Sequence, residues 1–148
     1  MSLTFNEFLL IINIEENSMS FVFSNPNPKG IFVGDCTVRA LATVLGRTWR
    51  DVYTGLTLQG FECCDMPSSN RVWGEYLKNQ GFKRHIIPEN CPECYTVKDF
   101  CGEHFDGKYI LGTGTHVVAV INGDYYDTWD SGDETPTHYW ARETDNDK

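Results

Sequence analysis

His116-Val117-Val118-Ala119-Val120-Ile121-Asn122-Gly123-Asp124-Tyr125-Tyr126-Asp127-Thr128-Trp129 is the stretch on which the fold turns. Two runs rich in β-branched and aromatic residues flank Asn-Gly, the pair that best accepts the positive φ angles of a two-residue turn. The stretch predicts an antiparallel hairpin. Lys108 to Leu111 reads as a short strand before it, joined through the loop Gly112-Thr113-Gly114-Thr115. Upstream, the apolar period changes from two to that of a helix. Cys36 to Leu45 is a run of Ala, Leu and Val, with Asp35 at the N-cap position and Gly46 where a helix stops. Thr48 and Asp51 open a second helix with Trp49, Val52, Tyr53 and Leu56 on one face, which Gly55 or Gly60 can end. A third runs from a Ser69 or Asn70 cap to Gly81 over Val72, Trp73, Tyr76 and Leu77. A fourth starts at Thr96, with Asp99 three residues on, and buries Val97 and Phe100. Helices first and strands last predict an α+β fold, with N-terminal helices packed on a C-terminal antiparallel sheet.

The 148 residues suit one domain, and an apolar fraction of 41% is ordinary for a globular chain. A net charge of −9 with scattered Lys and Arg argues against nucleic acid or an anionic membrane as partner, since both reward a basic patch. Phe8 to Ile14 is apolar but shorter than a membrane span, and its acidic flanks and lack of a small-residue cleavage site do not suit a signal peptide. It reads as a buried strand or helix. Six cysteines without a secretion signal point to the cytosol, so each needs its own explanation as nucleophile, ligand or small hydrophobe. The polar tail Glu143 to Lys148 reads as frayed.

A thiol acts as a nucleophile only as thiolate, and the unpaired N–H groups of a helix N-terminus favour that charge. Cys36 occupies such a place, with the Asp35 carboxylate assigned to capping. A proton acceptor working near neutral pH is also needed, and His116, presented by the Gly-Thr-Gly-Thr loop, is the best candidate. An orienting acid for the imidazole depends on hairpin register. A two-residue turn pairs Val118 with Asp127 and sets Asp127 one diagonal step from His116, whereas a one-residue bulge brings Asp130 opposite it.

Gly34-Asp35-Cys36 with its Ala/Leu/Val helix, His116-Val117-Val118-Ala119-Val120, and a strand ending Asp127-Thr128-Trp129 together resemble the papain-like cysteine peptidases. The likeness spans about Phe32 to Gly132 and is nearest to the small bacterial and phage members and the peptidases that trim double-glycine leaders. It implies a papain-like domain with Cys36 as nucleophile, His116 as base and, from the Asp-Thr-Trp match, Asp127 as third member over Asp130. The family's oxyanion-donating Gln, about six residues before the nucleophile, is replaced here by Gly30, and no Gln lies upstream of Cys36. The Cys36 N–H supplies one donor, and the Asn27 or Asn25 amide is the candidate for another.

Cys91-Pro92-Glu93-Cys94 followed by Cys101-Gly102-Glu103-His104 has a spacing that could close a structural zinc site, although the gap between the pairs is short and Cys101 could instead pack beside Phe100. Cys63 and Cys64 read as lining a core or cleft, His85 as a strand residue, and His138 as part of an aromatic tail that packs. Three functions follow. The first is hydrolysis of a peptide or isopeptide bond, with no cofactor required. The second uses the same residues for deamidation or transglutaminase-like acyl transfer. The third is a non-catalytic binding module with a zinc-stabilised core.

Overall fold

The structure is a computed structural model in which residues 19–89 and 93–143 are described. The apolar stretch Phe8 to Ile14, the candidate ligand Cys91 and the tail beyond Glu143 lie outside them. The fold is α+β. Its helices are α1 (Cys36–Leu45), α2 (Trp49–Cys63), α3 (Asn70–Asn79) and α4 (Val97–Glu103). The strands are β1 (Phe21–Phe23), β2 (Phe82–Ile86), β3 (Lys108–Gly112), β4 (Val117–Ile121), β5 (Asp124–Asp127) and β6 (His138–Arg142), ordered β1-β5-β4-β3-β6-β2 in one sheet.

The pairing departs from an all-antiparallel sheet at one edge, where β1 runs parallel to β5 with Phe23 beside Asp127. The β4–β5 register, Ile121 with Asp124 and Ala119 with Tyr126, is that of a two-residue turn. Asn122 and Gly123 adopt the positive φ values, 51° and 82°, that such a turn demands. The aromatic tail around His138 is a strand rather than a packed extension, for β6 lies inside the sheet between β3 and β2. The His138 ring sits against Gly112, where an added Cβ would come within 2.5 Å of it.

The Val-rich β4 is buried on both sides because the sheet is covered on both sides. Val117 and Ala119 join Leu41, Val44, Val52, Leu56, Trp73, Leu77 and Trp140 in a core under α1, α2 and α3. Val118 and Val120 join Val97, Phe100, Cys101 and Tyr125 in a second core that includes α4. Thr48 and Ser69 cap α2 and α3 through their hydroxyls, and Thr96 with Asp99 completes both halves of a capping box on α4. Helix α2 ends neither at Gly55 nor at Gly60 but runs to Cys63. Both glycines are sites of close packing, Gly55 against the Tyr76 ring of α3 and Gly60 against the Asp65 carbonyl in the turn after α2, and the helix runs through both. Cys64 then takes the left-handed C-cap conformation and is exposed, while Cys63 is half-buried.

Candidate active site

Cys36 is the first residue of α1, so its N–H has no partner within the helix. The preceding residue does not cap this helix through its side chain, which corrects the expectation for Asp35. Its carboxylate is buried and turned to other donors: the Arg39 guanidinium one turn along α1, the Trp49 indole N–H at 2.8 Å, and the Asn27 amide at 3.4 Å. An ionic partner outcompetes backbone N–H groups for a buried carboxylate because it also neutralises the charge.

His116 is delivered by the loop after β3. The buried Thr113 hydroxyl accepts from the backbone N–H of His116 at 2.9 Å, and the Thr113 N–H donates to the His116 carbonyl at 2.8 Å. These bonds fix the imidazole just before β4. Its Nε2 lies 2.5 Å from Asp127 Oδ2. The carboxyl of Asp127 is held below its usual range, so it acts as acceptor and Nε2 carries the proton. The other ring face is partly covered by Trp129, whose centroid is 5.1 Å away.

Four donors converge on Asp127. Oδ1 accepts from Arg39 Nη2 at 3.2 Å and from the Thr128 N–H at 2.8 Å; Oδ2 accepts from His116 and from the Ser131 hydroxyl at 2.7 Å. Burial would raise its pKa, and the bonds from His116, Ser131 and the Thr128 N–H outweigh burial to lower it. Asp130 takes no part in this cluster. It accepts from the Tyr125 hydroxyl and from the Gly132 N–H, at the foot of the turn that follows.

The thiol and the imidazole shift in opposite directions. Burial opposes the charged form of both. At Cys36, hydrogen bonding from His116 and from the Val117 backbone, with the nearby positive charge of Arg39, more than offsets burial and lowers the pKa. At His116, hydrogen bonds to Asp127 and Cys36 more than offset burial and raise it to about 9. Such a pair favours thiolate and imidazolium together.

Of the two amide candidates, Asn25 directs its N–H to the Ile31 carbonyl, bracing the loop. Asn27 is buried, uses its Oδ1 to accept from the Lys29 N–H, and reaches Asp35 beside Cys36, leaving a second amide N–H. Ile31, Phe32 and Val33 are exposed just before Cys36.

Of the candidate zinc ligands, Cys94, Cys101 and His104 lie among the described residues. Cys94 is exposed, whereas Cys101 is fully buried among apolar side chains, with its thiol pushed up to about 12 by burial and by Asp124. His104 stacks on Phe100 and places Nδ1 2.8 Å from that residue's carbonyl oxygen. Among the described residues no three His, Cys, Asp or Glu side chains converge on a point that could hold a metal ion.

Arg39 and Ser131 were not singled out by the sequence reading. A charged residue inside an Ala/Leu/Val helix was the available signal for Arg39. Ser131 gave none. No protein-family model, curated protein or solved structure matches the chain.

Proposed function

We propose that this chain is a cysteine-nucleophile hydrolase of peptide or isopeptide bonds, of the papain-like kind. The observation that carries the reading is the linked set Cys36, His116 and Asp127, in which the thiol is lowered and the imidazole raised. Nε2 is bound to Asp127, which leaves Nδ1 for the thiol. The Cys36 thiolate attacks the carbonyl carbon and forms a C–S bond, while the Cys36 N–H and the Asn27 amide are the donors available to the oxyanion. The imidazolium returns its proton to the departing amine as the C–N bond breaks. Water then attacks the thioester, giving a proton to His116, and the acid is released as the thiolate re-forms. Asp127 orients the ring and stabilises its cationic form throughout.

A polymeric substrate fits the surroundings. Two of the cavities, of about 500 and about 640 Å³, are walled by residues around Phe82 and Phe61, away from Cys36. An exposed apolar run beside the nucleophile suits an extended chain lying across the surface. Among the described residues no helix is long and apolar enough to cross a membrane.

The test has two stages. Iodoacetamide labelling is followed against pH by mass spectrometry in wild type and His116→Ala, and these proteins and Cys36→Ala are then incubated with a proteome-derived peptide library. The expected result is selective labelling of Cys36 well below the ordinary thiol pKa, dependent on His116, with new peptide termini absent from Cys36→Ala. A Cys36 of ordinary reactivity in folded protein would overturn the reading and leave a binding domain.

A further inference from the structure

Helix α1 contains one residue that its packing does not call for. Arg39 stands one turn from Cys36 in an otherwise uncharged helix and is only 7% exposed. An unpaired guanidinium there would be costly, and an apolar side chain of similar length would fill the space without charge. The guanidinium forks between two carboxylates from different parts of the chain. One nitrogen meets Asp35, in the loop before α1, and the other meets Asp127, at the end of β5. The fork leaves Arg39 Nε buried with no acceptor among the described residues. Packing alone would not select a donor set with one member unsatisfied.

The contacts form a linked series. Trp49 and Asn27 hold Asp35, Asp35 and Asp127 flank Arg39, and Asp127 holds His116, while Asp35 is the neighbour of Cys36 in sequence. We propose that Arg39 is a positioning residue, which ties the orienting carboxylate to the helix that bears the nucleophile and keeps Oδ2 of Asp127 for His116 by occupying Oδ1. This rests on the Cys36-His116-Asp127 reading and deepens it. Without the fork, Asp127 keeps its local bonds to Thr128 and Ser131 but loses its tie to α1. The spacing between nucleophile and base then loses its ionic tie across α1 and β5. The charged groups facing Arg39 are Asp35, Asp127, His116 and Cys36, so its removal also leaves two buried carboxylates without their shared cation.

The test uses Arg39→Met and Arg39→Lys in the full chain. Met keeps the length and removes the charge; Lys keeps the charge but cannot fork. The readouts are the pH profile of Cys36 alkylation and the ring ¹⁵N resonances of His116, with folding checked by circular dichroism. The positioning role predicts that Met slows Cys36 alkylation at pH 7 by roughly tenfold, the loss expected when one pKa unit is surrendered. It also predicts that the acid limb of the profile moves toward an ordinary thiol, and that the Nε2 resonance of His116 changes in both variants. If Met does not fold, Lys decides. A folded variant with the wild-type alkylation profile and the wild-type His116 resonances overturns the proposal, whatever its melting temperature. Failure of the underlying triad reading looks different: wild-type Cys36 would already label as an ordinary thiol, indifferent to His116→Ala.

Discussion

Cys36 and Cys101 are both helical cysteines close to the sheet, yet they are opposite kinds of group. Burial acts on them in the same sense, against the thiolate. Cys101 sits within α4 against Phe100, Val118, Val120 and Tyr125, with Asp124 as the charge that influences it, and its thiol rises to about 12. Cys36 begins α1, where His116, the Val117 backbone and Arg39 reverse the effect of burial. The histidines repeat the contrast. His116 gains an acid and a thiol and is raised, while His138, enclosed between Gly112 and Trp73 with Arg84 as its charged neighbour, is lowered. Burial sets the shifts of Cys101 and His138, and hydrogen bonds together with nearby charges overturn it at Cys36 and His116.

The largest expected break in this comparison is kinetic. His116→Ala should slow alkylation of Cys36 at neutral pH on the order of 10²-fold as the thiol returns to ordinary behaviour, while Cys101 stays unlabelled in both proteins until they are denatured. Peptide mapping of the adducts checks both halves. The reverse holds for stability. Cys101→Ser puts a hydroxyl into an apolar core and should cost about 1–3 kcal/mol, whereas Cys36→Ser should cost less than about 1 kcal/mol, as read from urea unfolding.

A pH effect sharpens the histidine contrast. The folded-state pKa of His116 lies above the unfolded value of 6.5, so the folded protein holds the proton more tightly. Its stabilising contribution is complete below the unfolded pKa and is lost as pH rises through the folded one. On a Cys36→Ala background, where no thiol titrates beside it, the melting-temperature gap between His116 and His116→Ala should be widest near pH 6 and should close in alkali; a gap that widens with pH would contradict the assignment. The smallest effect concerns Asp130. Asp130→Asn should leave Cys36 alkylation within about twofold of wild type, the range of an ordinary surface change. Asp127→Asn should move the profile as His116→Ala does.

Much of this arrangement was legible where local chemistry acts alone. Asn122-Gly123 dictates its turn, and the turn dictates that Asp127 rather than Asp130 comes beside the His116 strand. Thr96 and Asp99 cap α4 reciprocally because nothing else competes for them. Legibility ended where distant partners intervene. Asp35 has the sequence position of a cap, but Arg39 and Trp49 take its carboxylate. Gly55 and Gly60 are helix breakers in isolation, and tight packing on α3 and the following turn keeps them helical. The strand β1 is three residues long and β6 follows a Pro-containing turn, so neither has a local pattern long enough to announce it. Ser131 reaches Asp127 through a turn whose shape no short motif fixes.

The parallel pairing of β1 with β5 bears on when the molecule can be completed during synthesis. Ser24 donates its backbone N–H to the Asp127 carbonyl at 2.8 Å, and the Ser20 N–H reaches the Asp124 carboxylate at 3.0 Å, across 104 positions of chain. An early segment must therefore wait for the strand that carries the acid, and loop closure over that distance is slow. A nascent chain can form α1, α2 and α3 and present Cys36 long before His116 and Asp127 leave the ribosome. On the proposed reading, the thiol therefore meets its base and its acid only after β4 and β5 have been made.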